Sequence, residues 1–184
     1  MVEKEEKIWA FIDSQNLNLG TKENLYDKNK KLIYQGWPLD YKKFRRYLSD
    51  KFRVQKAIIF IGYSEEFKSL YKHLESYGYE LIYKPTVKDS HGKLKGNVDS
   101  ELVLNCAAKM YSSFDKAVIV AGDGDYRCLH EYLQEKNKLL KIVIPNQKSE
   151  SSLLKPFQEY KVFIQSDRKK LEYIPFKPFA GKKK

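Results

Sequence analysis

The chain alternates short, continuous apolar runs with segments whose apolar residues recur at helical spacing. The apolar runs predict β-strands at residues 8–12, 57–61, 79–83, 116–121, 139–144 and 162–164. The helical spacing predicts helices over residues 40–50, 67–77, 97–110, 126–133 and 151–160. Continuously apolar strands are typical of a parallel sheet that helices cover on both faces. The pattern therefore predicts an α/β protein, a three-layer α/β/α sandwich with a mainly parallel central sheet.

Three polar stretches interrupt or follow this alternation. Residues 18–38 are rich in Gly, Asn and Asp, which predicts a long loop or an inserted hairpin. Residues 85–96 predict a second loop. Residues 167–184 carry seven Lys or Arg against two acids, together with two prolines and a glycine. This composition predicts a basic, flexible tail behind a single domain of residues 1–166.

The composition predicts a globular and soluble protein. With 42% apolar residues the chain can bury a core, and its apolar runs are far shorter than the ~20 residues of a membrane span. The first residues carry charges of both signs and no apolar signal segment. The two cysteines, Cys106 and Cys128, are too few for a disulfide framework. These features predict a cytoplasmic protein with no membrane partner.

The chain has a strong excess of positive charge. It contains 35 Lys and Arg against 24 Asp and Glu, which gives a formal net charge of +11. Such an excess attracts polyanions, and nucleic acid is the commonest of these. A lysine-rich surface that only keeps the protein soluble explains the charge equally well.

Three aspartates are predicted to meet at one edge of the sheet. Asp13 follows the first strand and Asp123 follows the fourth. A strand order of about 3-2-1-4-5 makes these strands neighbours, so that their carboxyl ends share the crevice of the sheet. Asp99 lies three residues before Leu102 on the apolar stripe of a helix that Asn97 can cap. Asp99 should therefore point inward from the first turn of that helix.

Each of these acids also has an ordinary explanation. Asp13 suits a strand-end turn, Asp99 suits the dipole of a helix start, and Asp123 or Asp125 suits an N-cap. Taken together these explanations weaken, because three acids at one edge repel each other unless a cation neutralises them. Carboxylate oxygens suit Mg²⁺ or Mn²⁺, which complete their ligand shells with water and substrate phosphate. Because such an ion activates water and stabilises phosphate charge, the pattern predicts metal-dependent phosphodiester cleavage.

Three segments resemble the signature segments of NYN domains, which are PIN-like nucleases. They are FIDSQNL at residues 11–17, KGNVDSEL at residues 95–102 and AGDGDY at residues 121–126. Their order and separation match as well, and the resemblance spans residues 7–165. It implies a PIN-like sandwich and a Mg²⁺- or Mn²⁺-dependent endoribonuclease that acts on single-stranded or structured RNA. By this similarity Asp13, Asp99 and Asp123 are both catalytic residues and metal ligands.

The resemblance also concerns residues around these acids. It makes Asp125 an outer member of the metal site and Asn16 a polar group beside it, in reach of the substrate. Asn105 stands where similar domains often carry a further aspartate, so it can ligate a metal through its carbonyl oxygen but adds no charge. Element order places three cations near the crevice, which predicts substrate phosphate contacts by Lys84, Lys95 and Arg127.

Other enzyme classes fit the sequence less well. A phosphatase of the haloacid dehalogenase type needs a second aspartate two residues after the first, where this chain has Gln15. Toprim-like enzymes need a glutamate on the first strand, where this chain has Asp13. No glycine-rich phosphate loop follows that strand. The alternative from another class is an NYN-fold protein that binds RNA without cutting it, and the sequence leaves open whether a homodimer forms.

Overall fold

A parallel sheet of six strands forms the centre of the fold. The structure is a computed structural model that describes residues 5–84 and 98–175, and only the backbone at residues 87–88 and 94–95. In chain order its strands are β1 (Ile8–Asp13), β2 (Leu25–Tyr26), β3 (Leu32–Tyr34), β4 (Lys56–Gly62), β5 (Tyr79–Lys84), β6 (Val87–Lys88), β7 (Leu94–Lys95), β8 (Lys116–Val120), β9 (Leu139–Ile144) and β10 (Lys161–Phe163). The helices are α1 (Ser14–Lys22), α2 (Tyr41–Phe52), α3 (Lys68–Ser76), α4 (Asp99–Leu104), α5 (Arg127–Glu135) and α6 (Arg168–Leu171).

The order of the strands agrees with the predicted topology. The sheet runs β10-β9-β8-β1-β4-β5, while β2 pairs with β3 and β6 pairs with β7 in two antiparallel hairpins. Counted along the chain, the six parallel strands therefore have the order 3-2-1-4-5-6, which confirms the prediction. The direction of winding reverses between β1 and β8, and crevices in open α/β sheets lie at such a switch point.

Helices cover both faces of this sheet, which confirms the three-layer sandwich. Alternate residues of β1 belong to different cores: Ile12 packs with Phe44 and Leu48 of α2, whereas Phe11 packs with residues of α4 and α5. Because the central strands are buried on both faces, every side chain of such a strand must be apolar until the strand ends. This is why Asp13 closes the apolar run of β1.

The stretch at residues 18–38 differs in part from the prediction. Its first residues continue α1, which the sequence analysis did not predict because only Leu17 and Thr21 of this helix are buried. The helix is instead fixed by its N-cap, where the Asp13 carboxylate accepts the Asn16 backbone N–H at 2.9 Å. The following residues form the hairpin of β2 and β3, so the hairpin interpretation is correct.

Two further helices depart from regular α-helix. The one predicted at residues 97–110 begins at Asp99, and after Leu104 it continues as a π-helical turn at Asn105–Lys109. Its expected cap, Asn97, lies outside the described residues. The segment Ser152–Tyr160 is a 3₁₀ helix, because Pro156 and a kink at Phe157 interrupt the regular hydrogen bonds.

The prediction of a flexible tail at residues 167–184 is wrong for the first of these residues. Instead of an extended arm, Arg168–Leu171 form α6, and Leu171 is buried in the same core as α2. Asp167 anchors this segment by accepting the Tyr47 hydroxyl at 3.0 Å and by pairing with Lys51 at 3.1 Å. A few well-placed contacts thus order a segment whose composition favours disorder. Residues 176–184 lie outside the described residues, and among those described no helix is long and apolar enough to cross a membrane.

Candidate active site

The carboxyl ends of β1 and β8 bring the first and last of the three motifs together. These two strands pair in parallel, with Ile12 opposite Val120. Asp13 therefore lies beside the start of the loop that carries Asp123. In that loop Gly122 donates its backbone N–H to the Asn16 side-chain oxygen at 2.7 Å. Asn16 thus ties the first turn of α1 to the loop after β8.

Asp13 and Asp99 meet at one hydroxyl group. The Tyr126 hydroxyl lies 2.9 Å from Asp13 Oδ2 and 2.6 Å from Asp99 Oδ1. The two carboxylate oxygens cannot be farther apart than the sum of these distances, although the residues are 86 positions apart in the sequence. Asp99 points inward from the first turn of α4, as its place on the apolar stripe predicts.

The hydrogen bonding between these three groups is incomplete. A tyrosine hydroxyl has one proton, so it can donate to only one of two ionised carboxylates at a time. Burial raises the pKa of Asp13, and the Asn16 N–H and the Tyr126 hydroxyl only partly oppose this effect. Burial and the two nearby carboxylates hold the pKa of Tyr126 far above its usual value, so it remains a neutral phenol. The Tyr126 hydroxyl therefore cannot satisfy both carboxylates by itself.

Asp123 has the capping role that the ordinary explanation assigns to it. Its carboxylate accepts the Asp125 backbone N–H at 3.1 Å and so begins the 3₁₀ turn Gly124–Tyr126. This turn in turn carries the Tyr126 hydroxyl to Asp13 and Asp99. Asp125 is exposed on the same turn. A capping carboxylate keeps a second oxygen, so capping and metal binding are compatible roles.

The segment after β9 closes this loop from outside. Ser151 donates its backbone N–H to the Gly122 carbonyl at 3.0 Å, and its side chain lies where a Cβ on Gly124 would have to go. The preceding residue, Glu150, forms an ion pair with the almost fully buried Lys161 of β10. The position of the Ser151 side chain explains why residue 124 is a glycine, and the Ser151 contacts hold the turn that carries Tyr126.

The donors fit a hard divalent cation, although they do not form a complete cage. Within residues 5–84 and 98–175 no three Asp, Glu, His or Cys side chains lie close enough to share one ion. Mg²⁺ is usually held by one or two carboxylates and several waters, and a substrate phosphate supplies the rest. The convergent pair of Asp13 and Asp99 meets that requirement with oxygen ligands alone. Asp123 caps the turn that carries Tyr126 to this pair, but its own carboxylate does not join the pair in a group of three that could hold one ion.

The remaining predicted site residues have different surroundings. The Lys84 ammonium group lies 3.4 Å from the hydroxyl of Ser100, next to Asp99, so it is beside the site. Arg127 starts α5 but pairs with Glu131 at 2.8 Å. Asn105 is buried and donates its amide N–H to the Glu101 carbonyl at 2.8 Å. The side chain of Lys95 lies outside the described residues.

The central role of Tyr126 was not predicted from the sequence. Nothing in local spacing distinguishes its buried ring from the other aromatic residues of the core, and the ring is indeed fully buried. The only available signal is its position one residue after Asp125 and three after Asp123, inside the third motif. Which polar atom its hydroxyl reaches depends on contacts to β1 and α4, and these are set by the tertiary fold.

Comparisons with known proteins agree with this architecture. No curated protein matches the chain. The crystal structure of a protein of unknown function from Vibrio parahaemolyticus RIMD 2210633 has a similar fold, with a TM-score of 0.67 and 23% sequence identity, over 91% of this chain and 98% of that one. The family model described as NYN domain matches residues 7–164, which include all three motifs and the whole parallel sheet. The chain therefore belongs to the NYN domain family.

Proposed function

We propose that this protein is an endoribonuclease that hydrolyses RNA phosphodiester bonds with the help of Mg²⁺ or Mn²⁺. NYN domains are generally nucleases. The observation that carries the proposal is the contact of Asp13 and Asp99 with one hydroxyl, at the crevice of a protein with a net charge of +11. A buried and a half-buried carboxylate that share one donor attract a cation, and the basic surroundings attract a polyanion.

In this proposal each residue of the site has a defined task. Asp13 and Asp99 would hold the metal ion directly, and Asp123, on the neighbouring turn, would act on it through a coordinated water. A bound divalent ion lowers the pKa of a coordinated water and stabilises negative charge on the phosphate. Asn16 keeps the Asp123 loop in register with α1, while Tyr126 keeps the first two carboxylates at a constant separation.

Cationic side chains then have to hold the RNA backbone. Lys84 is suited to this role, because its ammonium group contacts the hydroxyl of Ser100, the residue after Asp99. Arg127 can serve only after it leaves Glu131, which costs little because exposed ion pairs contribute about 0–1 kcal/mol. In the proposal Asp125 is an outer ligand of the metal site. Asn105 is a neutral residue at the position where similar domains often carry a further aspartate.

The second candidate is an RNA-binding protein with no cleavage activity. The specific observation in its favour is that no three acidic side chains share one point among the described residues, while Asn105 adds no charge. A single experiment distinguishes the two functions. A 5′-labelled single-stranded RNA and a labelled hairpin RNA are incubated with the protein in Mg²⁺, in Mn²⁺ and in EDTA.

We expect cleavage in at least one of the two metals and none in EDTA. Asp13→Asn, Asp99→Asn and Asp123→Asn should each lower the rate about a hundredfold or more, which is typical of a lost charged group at a reacting centre. The matched control is Asp50→Asn, which removes an exposed carboxylate that pairs with Arg46 on α2. Cleavage that persists in EDTA, or that falls equally in the control, contradicts the proposal. Tight RNA binding without cleavage in either metal supports the second candidate.

A further inference from the structure

The hairpin between α1 and α2 leaves large apolar side chains in solvent. We call residues 22–35 the hairpin arm; it contains β2, β3 and the turn between them. Three of its large apolar side chains, Tyr26, Leu32 and Ile33, are 58%, 44% and 43% exposed. Leu25 and Tyr34, which pair across the hairpin, are partly buried. A small domain does not gain stability from three exposed apolar side chains on one hairpin, so they point to a partner.

The same arm carries a set of uncompensated positive charges. They are Lys22, Lys28, Lys30 and Lys31, and all four are exposed. In the described part of the chain, none of their ammonium groups lies within ion-pair distance of a carboxylate. This contrasts with Lys43, Arg46 and Lys51 of α2, each of which pairs with an aspartate. Lysines without ion-pair partners, next to the exposed ring of Tyr26, are suited to bind a polyanion that also carries aromatic bases.

The acid of the turn serves to build the arm. The Asp27 carboxylate accepts the backbone N–H groups of Asn29 at 2.8 Å and Lys31 at 2.9 Å. Lys30 takes the left-handed conformation that this turn needs, with φ of 59°. The lysines around the turn are therefore presented from a fixed backbone, and binding does not have to order the loop first.

The base of the arm is also fixed to α1. The Thr21 carbonyl accepts both the Trp37 backbone N–H at 2.8 Å and the Tyr34 hydroxyl at 3.2 Å. Asn24 accepts the Gly36 backbone N–H at 2.8 Å. Because α1 begins directly after its cap Asp13 and has nine residues, the arm leaves the helix about 13 Å from the candidate active site, at about 1.5 Å per residue. A strand of several nucleotides can bridge that distance.

We propose that the hairpin arm binds the RNA strand beside the cleavage site, with its lysines on the phosphates and Tyr26 stacked on a base. The proposal rests on the proposed function for the identity of the polyanion. A second copy of this chain is a poorer partner for the arm, because that copy brings the same excess of positive charge. Single-stranded nucleic acid is bound in general by basic surfaces that carry aromatic stacking residues.

The first test measures RNA binding in EDTA, where no cleavage interferes. Fluorescence anisotropy with a labelled single-stranded 12-mer RNA is recorded between 50 and 500 mM NaCl, for wild type and for Lys28→Gln, Lys30→Gln and Lys31→Gln combined. Each lost phosphate contact should lower the slope of log K against log[salt] by about 0.7, so the triple variant should lose about 2. Its affinity at 0.1 M salt should fall at least about tenfold.

A matched variant controls for the loss of overall charge. Lys7, Lys72 and Lys109 are also exposed and form no ion pair among the described residues, and they lie on other elements. Their combined change to Gln removes the same charge and should leave the salt slope within about 0.5 of wild type. Equal losses in both triple variants mean that the field of the whole protein binds RNA, which overturns the proposal.

The second test separates stacking from charge. Tyr26→Leu should weaken RNA binding at least about fivefold without a change in salt slope, whereas Tyr26→Phe should bind as wild type does, because a phenyl ring still stacks. Sedimentation of the wild type and Tyr26→Leu shows whether the arm mediates self-association instead. If the wild type is a dimer and Tyr26→Leu is a monomer, the proposal is overturned. An RNA affinity of Tyr26→Leu equal to that of the wild type also overturns it. Because binding is measured in EDTA, a protein that binds through the arm but never cleaves contradicts the proposed function alone.

Discussion

Asp13→Asn should make the metal-free protein more stable while it removes activity. In the wild type one Tyr126 proton faces two carboxylates, so one contact has no hydrogen. An asparagine at position 13 can direct its oxygen to the Asn16 N–H and its amide N–H to the Tyr126 oxygen. Tyr126 then donates to Asp99, and every contact in the chain of three groups has a proton. The N-cap of α1 is kept, because Asn caps as well as Asp.

The size of the effect follows from two contributions with the same sign. Satisfying one buried contact contributes about 0.5–1.5 kcal/mol. Burial also raises the pKa of Asp13, so the folded state disfavours its charged form, and neutral Asn removes that penalty. The free energy of unfolding in EDTA should therefore rise by about 1 kcal/mol or more, which is a Tm increase of about 2–4 °C for a chain of this size.

The pH dependence tests the cause. A carboxyl whose pKa is raised on folding contributes stability below its unfolded pKa of about 3.9 and loses it as the pH rises through the folded value. The advantage of Asp13→Asn should therefore be present at pH 7 and shrink as the pH falls toward about 3, where Asp13 is protonated in both states. Urea unfolding at a series of pH values in EDTA measures both curves.

Metal addition should reverse the ranking. A ligand at a hundred times its Kd stabilises the folded state by about 2.7 kcal/mol, so Mn²⁺ should raise the Tm of the wild type and not that of Asp13→Asn. Asp13→Ala is the matched control: it loses the cap and the Tyr126 contact, and should cost about 1 kcal/mol in EDTA. If Asp13→Asn is less stable than wild type in EDTA at pH 7, the description of Asp13 as an under-satisfied buried charge is wrong.

Four further predictions concern single residues. Tyr126→Phe should lower stability in EDTA by about 1–2 kcal/mol and enlarge the Tm shift on adding Mn²⁺, because Asp13 and Asp99 lose the hydroxyl that they share; an unchanged shift contradicts this. His130 is fully buried with no partner for either ring nitrogen among the described residues, and burial lowers its pKa to about 4. The protein should lose up to about 3 kcal/mol between pH 6.5 and 4, a loss that His130→Leu should remove in pH-dependent urea unfolding. Gly36→Ala should cost about 1–3 kcal/mol in thermal unfolding, because its Cβ would overlap the Lys22 carbonyl. Leu171→Ala should cost about 2–5 kcal/mol if α6 is part of the core, and a change under 0.5 kcal/mol would restore the flexible-tail interpretation.

The sequence by itself determined the layers of the fold and which aspartates lie at the edge of the sheet. A strand covered on both faces must be apolar along its whole length, so β1, β4 and β8 were visible as continuous runs. The first acidic residue after such a run stands at the edge of the sheet, which is why the sequence alone indicates Asp13 and Asp123. Helical periodicity likewise showed the inward side of α4 and placed Asp99 on it.

The tertiary structure decided what those acids contact. The sequence pattern predicts only that Tyr126 is a core residue. The packing of its turn against β1 and α4 is what brings its hydroxyl between Asp13 and Asp99. Composition likewise predicted a free tail where Leu171 in fact fills a place in the core. In both cases the physical reason is the same: hydrophobic pattern and charge are local properties of the chain, whereas a hydrogen-bond partner or a packing site is created by segments far apart in sequence.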